Sequence, residues 1–318
     1  MSQQPSGGTA SAELKRLTTE SGNTASADLD TRSAFEIAQI INREDARVAG
    51  AVEKALPQIA TAIDWIAEAL RSGGRLLYVG AGTSGRIGAL DAAECPPTFD
   101  IDPKQVQFVM AGGPKALGAA LEPNEDSPKL GRREIAKKRP GKKDIVIGIT
   151  ASGRTPFTVA AIEYARRRGA RTVAVVCNPG SPLERAVELA IVCEVGPEAV
   201  AGSTRMKAGT AQKMVLNLLS TGAMTRLGYV YGNLMVNVHL KNKKLVERGV
   251  RILMQAANVD DATARKVLRQ AGNSVPVALV MCKTGVGKKQ AEQRLKTARG
   301  HVRRAIERAG GRNTSGTI

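Results

Sequence analysis

The stretch LLYVGAGTSGR, residues 76–86, decides the fold that the sequence predicts. A short apolar run leads there into a loop of small residues, and a helical pattern begins near Ile87. Further apolar runs recur along the chain, separated by helical stretches such as 157–168. Continuous apolar strands that alternate with helices are typical of a parallel sheet buried on both faces. We therefore predict an α/β fold with a parallel sheet flanked by helices, its strands at residues 76–79, 106–110, 145–149, 172–176 and 190–193.

Helical patterns lie on both sides of this region. Apolar residues at steps of three and four predict a helix from about Ser33 and a second helix that follows Pro57 and ends near Ser72. Further helices are expected at residues 204–229, 261–270, 275–281, 288–297 and 301–309. We predict three regions: a start whose first dozen residues are disordered, followed by a helical segment; a central α/β domain; and a small all-α module, at residues 1–55, 56–240 and 241–318.

Charge and composition limit the classes of partner. The 318 residues include 47 Lys or Arg and 29 Asp or Glu, a formal net charge of +18, and residues 241–318 alone carry 18 basic against 5 acidic residues. With 4 Phe, 4 Tyr and 1 Trp, the chain has few aromatic rings on which the bases of single-stranded nucleic acid could stack. No Asn-, Gln- or Arg-bearing recognition helix stands out in the basic region. We therefore expect no nucleic-acid partner.

The cysteines and the N-terminus indicate the compartment. Four cysteines are scattered without a C-x-x-C pair, which favours a reducing compartment over a disulfide framework or a zinc ribbon. The first twelve residues lack the basic and apolar segments of a secretory signal, and no run of about 18 apolar residues occurs. The sequence therefore predicts a cytoplasmic protein without a membrane partner.

Two loops rich in glycine and hydroxyl groups follow predicted strands. The first contains Gly82, Thr83 and Ser84, and the second contains Ser152 and Thr155. Glycine lets the backbone approach a ligand closely, while the N–H groups and the partial positive charge of a helix start attract phosphate. Either loop alone also fits ordinary helix capping. Because both loops follow strands of one sheet, at the edge where open α/β sheets bind ligands, we predict a site for a phosphorylated small molecule.

The first loop also matches the dinucleotide fingerprint G-x-G-x-x-G, and acidic residues stand about 20 positions further on, at Asp100 and Asp102. The ribose-binding acid of a dinucleotide fold closes the second strand. Here both aspartates precede the strand at 106–110. The order of the elements therefore argues against NAD as a ligand.

Acid–base chemistry would depend on carboxylates, because the two histidines stand alone at positions 239 and 301. Glu94 lies near the end of the helix that the first loop opens, before two prolines that are expected to stop this helix. A second acidic cluster, with Glu122 and Glu125, follows the strand at 106–110. From spacing alone, Glu94 and the second acidic cluster fit ordinary solvent-exposed residues as well as catalytic ones.

Several motifs together resemble one enzyme family. The motifs GAGTSGR at 80–86, DAAECPPT at 91–98, ASGRTP at 151–156, CNPG at 177–180 and GSTRMKAGTAQK at 202–213 are similar to those of N-acetylmuramic acid 6-phosphate etherases, and the resemblance covers roughly residues 15–310. It implies a sugar isomerase (SIS) domain at 56–240, a fold shared with the mammalian glucokinase regulatory protein. It also implies a carbon–oxygen lyase that forms N-acetylglucosamine 6-phosphate and D-lactate, without a metal or organic cofactor.

The resemblance implies a role for each motif residue. Glu94 corresponds to the general acid that protonates departing lactate, and Glu125 corresponds to a second catalytic carboxylate. Residues of two motifs are expected to bind the sugar phosphate: Gly82, Thr83, Ser84, Ser152 and Thr155. Lys207 and Arg205 are candidates to neutralise phosphate or enolate charge, with a structural ion pair as the alternative.

Two points bear on how the site is completed. Pro123 and Asn124 stand where the family has a glycine and a small residue, so Glu122 is an alternative to Glu125. An unbroken helix from Ser84 to Glu94 would separate them by about 15 Å along its axis, which is long for one phosphosugar. We therefore expect a homodimer with shared sites, because SIS proteins are typically dimers.

Two other functions use the same features. A phosphosugar isomerase would need no acid for a leaving group, and a non-catalytic regulator would sense a phosphosugar without cleaving it. In the regulator, the basic module at 241–318 would bind a protein or a nucleic acid. Release of D-lactate separates the etherase from both alternatives.

Overall fold

The computed structural model describes residues 17–119, 124–238, 240 and 242–307. The predicted disorder of the first dozen residues therefore lies outside the described residues, as do Glu122, Pro123 and His239. Short 3-10 helices occur at Thr18–Glu20, Thr24–Ser26, Leu29–Thr31 and Gly113–Leu117. The α-helices of the described residues are α1 (Ala34–Asp45), α2 (Val48–Glu53), α3 (Leu56–Arg71), α4 (Gly82–Phe99), α5 (Pro128–Lys137), α6 (Pro156–Arg167), α7 (Pro182–Ala186), α8 (Lys207–Leu227), α9 (Lys243–Ala257), α10 (Asp261–Gln270), α11 (Val275–Thr284), α12 (Lys288–Thr297) and α13 (Val302–Glu307).

Five strands form the predicted parallel sheet, which confirms the α/β fold class. Every residue of the adjacent strands Leu76–Gly80 and Ile145–Ile149 is buried, as expected for a sheet covered by helices on both faces. Two further short strands, β6 (Val230–Tyr231) and β7 (Leu234–Met235), form an antiparallel hairpin. The strands of the parallel sheet are β1 (Leu76–Gly80), β2 (Val106–Met110), β3 (Ile145–Ile149), β4 (Arg171–Val176) and β5 (Leu189–Val192).

The strand order is β2-β1-β3-β4-β5, so the chain changes direction across the sheet between β1 and β3. Parallel sheets of this order bind ligands at such a switch point, outside the carboxyl ends of the strands. Gly80 at the end of β1 pairs in register with Ile149 at the end of β3. The two glycine loops therefore begin side by side at the switch point.

The helix α4 differs from the prediction, because it does not stop at the prolines. It runs without interruption from Gly82 to Phe99 and includes Pro96 and Pro97. Each proline lacks an N–H and so removes one intrahelical hydrogen bond, and the helix ends within three residues of Pro96. The helix ends where Asp100 adopts the left-handed conformation (φ 51°) and donates its N–H to the Pro96 carbonyl at 3.0 Å.

The described chain divides into two compact units. The first comprises residues 1–93 and 104–220, as far as they are described, and its apolar core packs around the parallel sheet. The second comprises residues 94–103 and 221–318, again within the described part, and has a separate apolar core built from α9–α13. The domain boundaries at residues 56 and 241 stay a prediction. Within the described residues, no helix combines the length and the apolar character that crossing a membrane requires.

Candidate active site

The first glycine loop makes a tight turn from β1 into α4. A Cβ atom on Gly80 would lie 2.8 Å from the Gly85 nitrogen, so the turn has no room for a side chain there. Gly85 donates its N–H to the Ala81 carbonyl at 3.0 Å. Thr83 and Ser84 consequently lie in the first turn of α4, where backbone N–H groups and the helix dipole favour an anion.

The second glycine loop carries a cluster of hydroxyl groups between β3 and α6. Thr150 Oγ1 lies 2.8 Å from Thr155 Oγ1 and 3.5 Å from Ser152 Oγ, and Ser152 Oγ accepts the Arg154 N–H at 3.2 Å. Thr155 is the N-cap residue of α6, yet its side chain caps no N–H of the described residues. Thr150 is the member of this cluster that the sequence analysis did not single out, although it directly follows the strand.

The structure brings Glu125 next to the first loop. A Cβ atom on Gly82 would lie 3.0 Å from Glu125 Oε1, so the carboxylate contacts the start of α4. The Glu125 carbonyl accepts the Phe157 N–H at 3.0 Å, which attaches the same residue to α6. Glu125 is thereby positioned between the two loops of the predicted phosphate site, and its side chain is half-buried.

Glu94 lies ten residues after Ser84 on the uninterrupted helix α4, and its side chain is exposed. One turn earlier, Asp91 is buried and accepts hydrogen bonds from Tyr78 Oη at 2.8 Å and Ser220 Oγ at 3.0 Å. These bonds attach α4 to β1 and α8. Ten residues of α-helix, the spacing between Ser84 and Glu94 in the sequence, correspond to a rise of about 15 Å.

Lys207 begins helix α8 and forms a buried ion pair. Its Nζ lies 2.5 Å from Glu44 Oε2, and both side chains are nearly inaccessible to water. Glu198, also fully buried, accepts the backbone N–H groups of Lys207 and Ala208, each at 2.9 Å. Two of the N–H groups at the start of α8 are therefore occupied by a side chain of the protein.

The pKa values of the two buried carboxylates, Glu198 and Glu44, are shifted in opposite directions. Burial raises the pKa of Glu198, and the hydrogen bonds from Ala208 and Lys207 offset only part of the effect. Burial acts in the same direction on Glu44, but the hydrogen bonds from Lys207 and Asn23 outweigh it, so the pKa of Glu44 lies below its ordinary value. No local pattern indicates either residue: Glu44 pairs with a lysine 163 residues away, and Glu198 accepts from backbone groups nine and ten residues further along the chain. Binding of phosphate by Lys207 stays a prediction.

Comparisons with known proteins identify the central domain. A family model described as "Glucokinase regulatory protein N-terminal SIS domain" matches residues 58–166, and the model "SIS domain" matches residues 138–222. The structure of a phosphoheptose isomerase from Francisella tularensis superposes with a TM-score of 0.50 over 61% of this chain and all of that chain, at 16% identity. At this identity the likeness concerns the fold alone.

Curated relatives match almost the whole chain. The N-acetylmuramic acid 6-phosphate etherase of Symbiobacterium thermophilum is 56% identical over 275 residues, which are 86% of this chain and 91% of that protein. The etherase of Bacillus subtilis is 47% identical over 294 residues, which are 92% of this chain and 97% of that protein. Identity of this extent confirms the resemblance in the motifs. The chain belongs to the family of N-acetylmuramic acid 6-phosphate etherases.

Proposed function

We propose that this protein cleaves the D-lactyl ether of N-acetylmuramic acid 6-phosphate and forms N-acetylglucosamine 6-phosphate and D-lactate. Its membership of the etherase family supports this activity. The observation that carries the proposal is the meeting of two hydroxyl-bearing loops at the switch point between β1 and β3, with the carboxylate of Glu125 beside the first loop.

The phosphate group is bound in this proposal by the two loops. Ser84, Ser152 and Thr155 supply hydroxyl donors, the start of α4 supplies backbone N–H groups, and the starts of α4 and α6 both supply partial positive charge. Gly82 and Thr83 allow the close approach of the ligand to the first turn of α4. The occupied start of α8 supports the assignment of the phosphate to the start of α4 rather than to that of α8.

The reaction proceeds by elimination followed by addition of water. In the ring-opened sugar, C2 lies beside the aldehyde, so a base can remove its proton; Glu125 is assigned this role. A C2=C3 double bond forms as the C3–O bond breaks, and Glu94 gives a proton to the oxygen of departing lactate. Water then adds its hydroxyl to C3 and a proton to C2, so one water is consumed for each lactate released.

We also propose a cytoplasmic homodimer with shared sites. The uninterrupted helix assignment from Ser84 to Glu94 supports sharing, because ten residues of helix rise about 15 Å, which is long for one phosphosugar. The scattered cysteines, which include no C-x-x-C pair, support a reducing compartment. Mixing Glu94→Gln with Glu125→Gln subunits tests the sharing: we expect recovery of lactate release if one site takes these residues from different subunits, and no recovery contradicts sharing.

The decisive experiment measures D-lactate release from N-acetylmuramic acid 6-phosphate beside the unphosphorylated sugar. We expect release from the phosphorylated sugar alone, because the loops are built to bind its phosphate. No release with the phosphosugar still bound would instead indicate a sensing regulator. Exchange of the C2 proton without release of lactate would indicate an isomerase-like activity.

A further inference from the structure

The CNPG motif at residues 177–180 takes no part in the proposed chemistry. The side-chain amide of its asparagine nevertheless forms three hydrogen bonds. Asn178 is buried at the end of β4, with 2% of its surface exposed. Its Nδ2 donates to the Ala151 carbonyl at 2.9 Å and to Thr19 Oγ1 at 3.0 Å, and its Oδ1 accepts from Thr18 Oγ1 at 3.0 Å. Both donors and the acceptor of the amide are thus in use.

Ala151, the residue that Asn178 contacts, lies between the hydroxyl residues Thr150 and Ser152 of the second loop. Its carbonyl also accepts the Cys177 N–H at 3.0 Å. Two residues further along, the Gly153 carbonyl accepts the Leu183 N–H at 2.9 Å. The segment 177–183 therefore supports the second loop at two points, and Asn178 supplies the side-chain bond at one of them.

The other partners of Asn178 belong to residues 17–23, which we call the N-terminal strap. Thr19 is fully buried, and its carbonyl accepts the Gly202 N–H at 3.2 Å. Further along the strap, Asn23 Nδ2 donates to Glu44 Oε2 at 2.8 Å and to the Pro197 carbonyl at 3.1 Å. The strap is thus attached to the second loop through Asn178, and to the residues before α8 by its own groups.

We propose that Asn178 is a positioning residue: together with the N-terminal strap it holds Ala151, and with it the hydroxyl groups of Thr150 and Ser152, in the geometry that binds the substrate phosphate. This rests on the proposed function only in taking a phosphosugar as the ligand. Asn178 itself does not touch the substrate. Its loss acts on binding of the phosphate and not on the proton transfers.

The test compares three variants with a matched control. Asn178→Ala removes the whole bridge, Thr19→Val removes only the hydroxyl that accepts from Asn178, and Thr19→Ser retains that hydroxyl. The control is Thr172→Val, a change of the same kind at a buried threonine whose hydroxyl has no partner among the described residues. Two measurements are made: binding of N-acetylglucosamine 6-phosphate by calorimetry, and KM and kcat for lactate release.

We expect Asn178→Ala and Thr19→Val to weaken binding and raise KM by about tenfold, with kcat changed by no more than about twofold, since one or two hydrogen bonds are lost outside the reacting groups. Thr19→Ser and Thr172→Val should behave like the wild type. Should Asn178→Ala fail to fold, the pair Thr19→Val and Thr19→Ser decides the question.

Unchanged affinity and KM in the folded Asn178→Ala or Thr19→Val protein overturn the proposal, even if their melting temperatures fall, because that pattern indicates a purely structural role. The binding measurement separates this proposal from the proposed function. A wild-type protein that binds the phosphosugar but releases no lactate contradicts the etherase activity and leaves the role of Asn178 testable. A wild-type protein that binds no phosphosugar contradicts both.

Discussion

Lys207 and Glu44 are a pair of opposite charges with almost no access to water. Their attraction offsets only part of the cost of taking two charges out of water, so the loss of one partner is more harmful than the loss of both. The lysine is 163 residues from its partner along the chain, and its own motif, GSTRMKAG, reads equally well as a phosphate-binding segment. The motif leaves two roles open for Lys207, phosphate binding and a structural ion pair, and its burial favours the ion pair.

We expect Lys207→Met to destabilise the protein by about 3–5 kcal/mol, because it leaves the buried Glu44 carboxylate unpaired. Urea unfolding measures the change, and Lys213→Met, at an exposed position of the same helix, is the control. The double variant Glu44→Gln/Lys207→Met should recover part of the loss. A variant with wild-type stability and a raised KM would instead assign Lys207 to the phosphate.

Glu94→Gln is expected to lower the rate of lactate release by about 10²–10⁴-fold, the usual range for loss of a general acid. Glutamine retains the shape of the side chain but cannot give a proton. Binding of N-acetylglucosamine 6-phosphate should persist. Glu53→Gln, at an exposed position on α2, serves as the control. Turnover of the Glu94→Gln protein at the wild-type rate would contradict the role assigned to Glu94.

The candidate site residues that the sequence predicted are those whose signal is local. Ser84 and Ser152 follow strands within a few positions, so the strand–loop–helix pattern identifies them. The role of Asn178 has no such signal, since its partners lie 27, 159 and 160 residues away. Only the fold brings these groups together.

At the level of single elements, the continuous apolar runs predicted all five strands of the parallel sheet to within one or two residues. A buried strand needs apolar side chains at every position, and this leaves a clear pattern. The hairpin of β6 and β7 was not predicted, because two residues per strand are too few to show an alternation. The end of α4 was predicted wrongly, because the helix continues to Phe99, three residues beyond the first of the two prolines.

Two glycines next to the second loop allow a matched test of backbone geometry. Gly153 and Gly180 both have φ near +70°, but a Cβ atom on Gly153 would lie 2.3 Å from Ser181 Cβ, whereas one on Gly180 would meet nothing within 4 Å. Gly180→Ala should cost about 1–2 kcal/mol for the left-handed conformation alone. Gly153→Ala should cost more and should also raise KM, since the loop must move. Equal effects in urea unfolding and kinetics would contradict the importance of this close approach.

In the whole molecule, the fold limits the access of solvent to the four cysteine thiols. Cys95, Cys177 and Cys193 are buried, and Cys282 is half-buried. Burial raises the pKa of Cys177, Cys193 and Cys282, in the case of Cys193 to about 11. Because the thiolate is the reactive form, both access and ionisation disfavour reaction.

We expect the native protein to react slowly with a thiol reagent at pH 8, with Cys282 the first of the four to be modified. The reaction should accelerate as the pH is raised towards 11, because the thiolate fraction grows. Protein unfolded in urea should show all four thiols at once. Rapid modification of Cys177 or Cys193 in the native state would contradict the described burial.

The arrangement of the whole chain was only partly accessible from the sequence. Local patterns predicted helices at residues 261–270 and 288–297 with the observed bounds. The grouping of residues 94–103 with residues 221–318 in one compact unit has no counterpart in any local pattern, because it depends on the pairing of distant segments.

The N-terminal strap has a consequence for the newly made chain. Thr18 and Asn178 are 160 residues apart, and a ribosome adds about 5–20 residues per second. Asn178 is therefore synthesised roughly 10–30 s after the strap. By then four of the five strands of the parallel sheet have been made. A nascent polypeptide can thus make four strands of the sheet before it can complete the supports of the second loop, so competence to bind the ligand does not arise before residue 183 has been made.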